Sequence, residues 1–308
     1  MNTAIIKIIA YSFVALLLLV LLLVLLKSNW FGKLINWNGF SISGGINYAN
    51  ADKYSIGSTE VDAAQITTLD VDWINGDVDI VPYAGTKIVV TESNTASLPD
   101  EERLHYWNDN GTLYIKFCAS GLTRIKLDNN NKTLQIKVPK DFAASLRINT
   151  VSAGCAISEV AAKDVEIKTV SGSVNGTVSG TPSSAKVGTV SGKINLSCKT
   201  DKADFTTVSG SIEFNGTATT IDAKTTSGAI RINTENAPES IKAKSVSGSV
   251  KLFLPETSEF EAQLSTVSGT LRCEFPTVTL KKNNLKCGNG GIDIEASTVS
   301  GNLDINKR

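Results

Sequence analysis

The chain is poor in the residues that most chemistry requires. Its 308 residues contain one histidine, His105, and one methionine, Met1. Two-histidine metal sites and histidine-based catalysis therefore have almost no material. No charge is in excess, since 30 Lys+Arg face 30 Asp+Glu. A nucleic-acid-binding surface needs a basic stripe, so no nucleic-acid partner is expected, nor any strongly electrostatic one. Proline is sparse, at 7 residues. The five cysteines, Cys118, Cys155, Cys198, Cys273 and Cys287, are odd in number and form no Cys-x-x-Cys pair. A secreted disulfide framework would favour an even count at close spacing. What is abundant is glycine, at 24 residues, together with Ser, Thr and Asn. That composition suits many short strands and turns.

One long apolar run stands apart. Residues 8–26 carry no charge, with Tyr11 and Ser12 as their only polar side chains. As a helix the run would span about 28 Å at ~1.5 Å per residue, against a hydrocarbon core of roughly 30 Å. Lys7 and Lys27 bracket it, and Trp30, Phe31 and Trp37 follow at interfacial depth. A cleaved signal peptide would have a shorter apolar core and a small-residue cleavage site. Residues 27–31, Lys-Ser-Asn-Trp-Phe, offer none. An uncleaved single-pass anchor over residues 1–27 is expected. The α-amine and Lys7 on the amino side nearly balance Lys27 and Lys33 on the other, so charge does not set the orientation. The Ser-, Thr-, Asn- and Gly-rich loops favour a body outside the cytoplasmic membrane, while the cysteines point the other way. An extracytoplasmic body is the expectation.

The body repeats. Thr-Val-Ser-Gly occurs in step at residues 169–172, 189–192, 207–210, 266–269 and 298–301, with an out-of-step copy at 177–180. Near copies lie at 150–154, 225–228 and 245–248. The in-step serines, 152, 171, 191, 209, 227, 247, 268 and 300, are spaced by 19, 20, 18, 18, 20, 21 and 32 residues. Such a return is the signature of a repeat architecture. The last gap is too long for one unit and suggests a degenerate coil around residues 285–291. After each motif apolar residues alternate, as in Ile194/Leu196/Cys198, Ile212/Phe214, Ile230/Ile232, Val250/Leu252 and Leu271/Cys273/Phe275. That is a strand with one buried face. The phase breaks inside the motif, so the motif reads as a corner. The structural corner residues are Ser171, Gly172, Ser191, Gly192, Ser209, Gly210, Ser227, Gly228, Ser247, Gly248, Ser268, Gly269, Ser300 and Gly301. Glycine is expected there for its conformational freedom, and equivalent hydroxyls of stacked coils are expected to form ladders. The serines have no base beside them, so they are not read as nucleophiles.

About 18–20 residues per unit is too short for a helical repeat and fits one coil of a β-solenoid. The expected fold is all-β, a β-helix-like solenoid preceded by a single transmembrane helix. The expected layout is an anchor over 1–27, a linker over 28–60, an irregular β region over 61–149 and regular repeats over 150–308.

This pattern resembles the bacterial β-strand-repeat family of candidate adhesins. An N-terminal apolar helix precedes Thr-Val-Ser-Gly strands, and residues 290–305, Gly-Gly-Ile-Asp-Ile-Glu-Ala-Ser-Thr-Val-Ser-Gly-Asn-Leu-Asp-Ile, are similar to that family's usual close. The resemblance covers residues 61–308. It implies a cell-envelope β-solenoid, in some cases linked to envelope stress, without catalytic residues to carry over.

Four carboxylates invite a chemical reading. Asp70, Asp72, Asp77 and Asp79 flank Asn75-Gly76, two on each side. A calcium site or a glycan-cleaving carboxylate pair is conceivable. A solvated β-hairpin around an Asn-Gly turn is the simpler expectation. His105, beside Tyr106 and Trp107, could mark a ligand pocket or merely a loop histidine next to packing aromatics. Cys198 and Cys273 take inward parity, while Cys118 takes the outward one and is expected to be the accessible thiol. No catalytic residue, metal site or cofactor is expected. Three functions are carried forward. The first is a non-enzymatic envelope protein that contacts wall polymer, peptide or protein ligands. The second is a cytoplasm-facing tethered scaffold that polymerises end to end, with the charged final coil, residues 302–308, blunting such pairing. The third is a glycan-active β-helix enzyme.

Overall fold

The computed structural model describes residues 40–41, 45–96, 98–122, 132–281 and 283–308, and these are all-β. Among them no helix is long and apolar enough to cross a membrane. The anchor expected over 1–27 lies outside the described residues.

Alternation along each strand decides the architecture. In Ile194–Thr206, Ile194, Leu196 and Cys198 are buried while Asn195 and Ser197 are half exposed. Each strand therefore has one face for the core and one for solvent. The next strand, Ile212–Lys224, pairs with it in parallel and in register, Ile194 against Ile212 and Phe205 against Ala223. The chain thus runs along one wall, turns at a Thr-Val-Ser-Gly corner, returns along a second wall and turns again. The next circuit then lies directly on the last. In-register stacking places like on like, so Val174, Ile194, Ile212, Ile230 and Val250 form one buried column. Gly154–Thr169, Ile194–Thr206 and Ile212–Lys224 bend round the second corner without a break. Hydrogen bonding therefore passes between the walls, and the body is one 23-stranded sheet.

The corner is held by a repeated pair of hydrogen bonds. The Thr hydroxyl accepts from the glycine N–H three residues on: Gly172 to Thr169 at 2.9 Å, Gly192 to Thr189 at 2.9 Å and Gly210 to Thr207 at 3.0 Å. The same hydroxyl donates to the glycine carbonyl of the neighbouring coil, Thr225 to Gly210 at 3.1 Å and Thr189 to Gly172 at 3.4 Å. The ladder is thus hydroxyl to carbonyl, not hydroxyl to hydroxyl. The reason for glycine also differs from expectation. None of the corner glycines from Gly172 to Gly301 has a positive φ. A Cβ at Gly192 or Gly210 would instead lie 1.8 Å from the glycine carbonyl oxygen of the adjacent coil. Close approach, not left-handed backbone, excludes a side chain.

Three departures from the expected order matter. First, the coils begin before the motif does. Thr68–Trp73 lies in one wall, between Thr112–Lys116 and Ala144–Thr150. Asp77–Tyr83 lies in the other, between Leu134–Pro139 and Gly154–Thr169. They form no hairpin, because Leu69, Val71 and Trp73 and also Val78 and Ile80 must all face the one core. Ile74-Asn75-Gly76 is a corner, with Gly76 at φ 87. Second, residues 285–291 are not a degenerate coil. Val278–Lys281 and Asn284–Cys287 make an antiparallel hairpin laid against Phe260–Thr266. Third, the last coil is not the end of the stack. Ile292–Thr298 sits between Ser240–Lys244 and Phe260–Thr266, and Leu303–Lys307 sits between Val250–Leu254 and Leu271–Cys273. The charges of residues 302–308 therefore do not blunt an outer edge.

Candidate functional site

Register builds a site at the end of the stack where the chain enters. On the outer face of the first wall, Trp107 of His105–Asp109 lies opposite Tyr114 of Thr112–Lys116. Tyr114 lies opposite Asp70, and Asp70 opposite Arg147. Two residues along, Lys116 lies opposite Asp72, and Asp72 opposite Asn149. An aromatic row thus runs into a charged one.

The segment just before the body closes over these rows. Of the stretch expected as a linker over 28–60, residues 47–60 carry the short strand Ser55–Ile56 and the start of Thr59–Asp62 and pack on the body. The Tyr48 hydroxyl donates to the Cys118 carbonyl at 3.0 Å. The Tyr48 N–H donates to Ser120 Oγ at 3.0 Å, and that hydroxyl donates back to the Tyr48 carbonyl at 3.2 Å. Ring centroids step from Tyr48 to Tyr54 at 4.7 Å, to Trp107 at 5.6 Å and to Tyr114 at 5.6 Å. The last pair is stacked, with 23° between planes. Together with Asn47, Asn50, Lys116 and Ser120 these rings line an open recess of about 610 Å³.

The recess meets a balanced ionic floor through Lys116, its one charged lining residue, while Arg147 at the far side of that floor stays half exposed. Lys116 Nζ contacts Asp70 Oδ1 at 3.2 Å and also bonds Asp72. Arg147 reaches Asp70 Oδ2 at 3.3 Å, and Asn149 donates to Asp72 Oδ1 at 2.9 Å. Burial pushes the Asp72 carboxyl up, although Lys116 and Asn149 oppose the shift. Burial works to lower the Lys116 pKa, but Asp72 and Asp70 outweigh it and hold it above the usual lysine value. Burial pushes the Tyr54 phenol up to about 12 and raises Tyr48 as well. Two cations and two carboxylates leave the floor without net charge. The tyrosines stay protonated, as donors at the rim.

The residues singled out in the sequence fall elsewhere or take other parts. Asp70 and Asp72 belong to this floor, whereas Asp77 and Asp79 stand on the other wall, so the four carboxylates do not converge. Among the described residues no cluster of three or more His, Cys, Asp or Glu could hold a metal. His105 is buried opposite Lys116, with Nδ1 2.9 Å from the Arg103 carbonyl. Its neighbour Trp107, not His105, faces the recess. Cys118, expected to be accessible, is fully buried, because Tyr48 and Ser120 are laced across its strand end. Burial pushes its thiol up to about 12. The corner serines are exposed in all seven copies from Ser171 to Ser300, and the hydroxyls of Ser191 and Ser209 approach main-chain carbonyls at 3.5 Å. Tyr48, Tyr54, Tyr114 and Lys116 had not been singled out. The available signal was the outward parity of Tyr114 and Lys116 between inward Leu113, Ile115 and Phe117.

Behind the recess a buried ion pair ties the irregular strands together. Lys132 Nζ lies 2.6 Å from Glu92 Oε1, with 1% and 2% of the two side chains exposed. The ammonium also bonds the carbonyls of Glu102 and Phe117 and sits 3.8 Å from the Phe117 ring centre. Burial lowers the Lys132 pKa.

Several solved structures are similar to this chain. A candidate adhesin from Bacteroides fragilis is 14% identical over 85% of this chain and 100% of its own, with a TM-score of 0.41. A candidate adhesin from Parabacteroides distasonis is 12% identical over 82% and 97%, with a TM-score of 0.40. A candidate lipid binding protein from Parabacteroides distasonis is 16% identical over 82% and 96%, with a TM-score of 0.33. No curated protein matches the sequence. One family model spans residues 66–306, from the approach to Thr68–Trp73 to the coil inserted at the far end, and by that match the chain belongs to the Toastrack DUF4097 family.

Proposed function

We propose that the protein is a non-enzymatic, membrane-anchored component of the cell envelope that holds out a β-solenoid as a contact surface. Its binding site in this reading is the aromatic recess, and its ligand is an uncharged stretch of envelope polysaccharide. The observation that carries the reading is the recess itself, four aromatic side chains beside Lys116, whose charge is balanced within a cluster of two cations and two carboxylates. Aromatic rings offer large, rigid apolar faces with polar tips, which suits the C–H faces and hydroxyls of a sugar ring. A net-neutral floor gives no advantage to an acidic polymer. The stacked coils support the solenoid reading, since each circuit rests on its neighbours in register. The apolar run at residues 8–26 supports a single-pass anchor, with the body outside the cytoplasmic membrane. The corner hydroxyls support a scaffold role, since their partners are backbone groups.

A second reading, an end-to-end scaffold facing the cytoplasm, draws on Val278–Lys281, an exposed outer strand carrying Val278 and Leu280. Protease shaving of intact cells separates the two. Loss of a C-terminal tag without lysis is expected, and protection until lysis would overturn the envelope reading. Co-sedimentation of the purified protein with insoluble wall polysaccharide tests the site. Trp107→Ala and Tyr54→Ser should each release most of the protein to the supernatant with the far-ultraviolet spectrum unchanged. Undiminished pelleting of both variants would remove the recess from the proposal.

A further inference from the structure

One lysine and one glutamate are shut against each other away from water. Lys132 and Glu92 keep 1% and 2% of their side chains exposed, and Nζ lies 2.6 Å from Oε1. The contact lacks the alignment of a hydrogen bond, and Oε1 meets no other donor among the described residues. Nζ instead donates to the Glu102 carbonyl at 2.6 Å and the Phe117 carbonyl at 2.5 Å. The Phe117 and Trp73 rings flank it, with centres 3.8 and 5.1 Å away. Two donated bonds are all that a neutral amine can give. Its lone pair is then left for the remaining contact, the Glu92 carboxyl. Burial lowers the Lys132 pKa. Passing one proton from the ammonium to the carboxylate removes both buried charges at once. Lys116 is the contrast. Asp72 and Asp70 together hold it above the usual lysine value, so it stays an ammonium.

We propose that Lys132 and Glu92 condense to an amide, an isopeptide cross-link that the folded chain makes by itself. The Nζ lone pair attacks the Glu92 carboxyl carbon, one bond from Oε1, and the carbonyl π pair moves onto Oε2. That oxygen already accepts the Leu104 N–H at 3.0 Å, a donor placed where negative charge develops. As the tetrahedral centre collapses, the Oε2 pair returns to carbon and the bond from carbon to Oε1 breaks. Oε1 departs as water, carrying its own proton and one from Nζ. The hydrogen that remains becomes the amide N–H, within reach of the same two carbonyls. No oxidant, reductant or cofactor is consumed. The fold contributes by holding the reacting groups in contact and by excluding water. The amide closes residues 92–132 into a covalent loop. That loop contains His105–Asp109 and Thr112–Lys116, the strands that present Trp107 and Tyr114 to the recess. The five cysteines are all free, so no disulfide closes it. A cross-link of this kind restricts the unfolded chain.

Intact-mass spectrometry of the denatured full-length chain tests this. The chain should be lighter than its sequence by one water. Trypsin should leave the bond after Lys132 uncut and release a branched peptide joining residues 88–103 to residues 127–137, while cutting after Lys116 as usual. Lys132→Arg should keep its full mass and unfold at a lower urea concentration. A parent chain that keeps its full mass after prolonged incubation in the folded state, with Lys132 open to trypsin, overturns the proposal. So does the same loss of water in Lys132→Arg, or a branch from Lys132 to any carboxyl other than that of Glu92.

Discussion

Replacing one corner glycine by alanine should cost far more than replacing the serine beside it. At Gly210 a new Cβ would lie 1.8 Å from the Gly192 carbonyl oxygen, whereas real Cβ contacts stay beyond 3.0 Å. The obstacle is backbone, so no side chain can swing aside. Relief requires the two coils to part by more than an ångström where they are ~4.8 Å apart. Parting loosens the bonds that define the corner: Gly210 N–H to Thr207 Oγ1 at 3.0 Å, Thr225 Oγ1 to the Gly210 carbonyl at 3.1 Å, and Val208 N–H to the Val190 carbonyl at 3.2 Å. Overpacking costs about 1–3 kcal/mol, and each hydrogen bond lost contributes about 0.5–1.5 kcal/mol. The sum expected for Gly210→Ala is roughly 3–5 kcal/mol. If glycine served only to reach left-handed backbone, alanine would cost about 1–2 kcal/mol. Ser209 is exposed, and its hydroxyl lies 3.5 Å from the Val190 carbonyl. Ser209→Ala should therefore stay within about 0.5 kcal/mol of the parent. Urea unfolding followed by circular dichroism reads both, with the slope compared to confirm a common transition. A Gly210→Ala midpoint indistinguishable from that of Ser209→Ala would refute the close-approach argument.

Other outcomes follow from the buried groups. Burial pushes the thiols of Cys118, Cys155 and Cys198 up to about 12 from an ordinary 9.0. The folded chain holds these protons where the unfolded chain has lost them. Stability should therefore fall as pH rises from 9 toward 12, by up to about 1.4 kcal/mol per pH unit for each thiol. Urea midpoints across that range should show the slope, and Cys198→Ala should flatten it; a level profile in the parent would contradict the burial. Lys132→Met leaves Glu92 buried without its ammonium and should cost about 3–5 kcal/mol, while Lys132→Met/Glu92→Leu should recover part of it. Thermal melts of the two variants decide this, and equal losses would show that the pair is not coupled.

How much of this was legible in the sequence depends on the kind of information each feature needs. The corners were legible because Thr-Val-Ser-Gly returns in step, and the strands because Ile194/Leu196 and their counterparts alternate. Why the corner needs glycine was not, since a positive φ and a close approach both select the same residue. The Asn75-Gly76 turn misled for a related reason. A tight hairpin and a corner both want that dipeptide, and only the shared inward face of Leu69 and Val78 chooses between them. The recess was half visible, with Trp107 in view. Tyr48 and Tyr54 lie where no periodicity marks a strand, and the approach of Tyr114 to Trp107 is fixed by pairing register. Cys118 read as outward from parity alone, which says nothing of the Tyr48 segment laid across it.

The permuted order of the last coils was hidden for a deeper reason, one that bears on how the protein works. A repeat is recognisable because its units are interchangeable in pattern, so the pattern cannot say which unit lies on which. Gly301 fits on Gly248 as Gly228 fits on Gly210, at 2.1 and 1.7 Å from a would-be Cβ to the carbonyl oxygen. Neighbour choice is then left to the connections. Between residues 254 and 260 the chain skips a place, and the coil of residues 292–307 fills it. Specificity must therefore sit where the equivalence breaks. In this molecule it breaks at the two ends: at the entering end in rings and balanced charges, and at the far end in a coil, residues 292–307, laid out of sequence order between its neighbours.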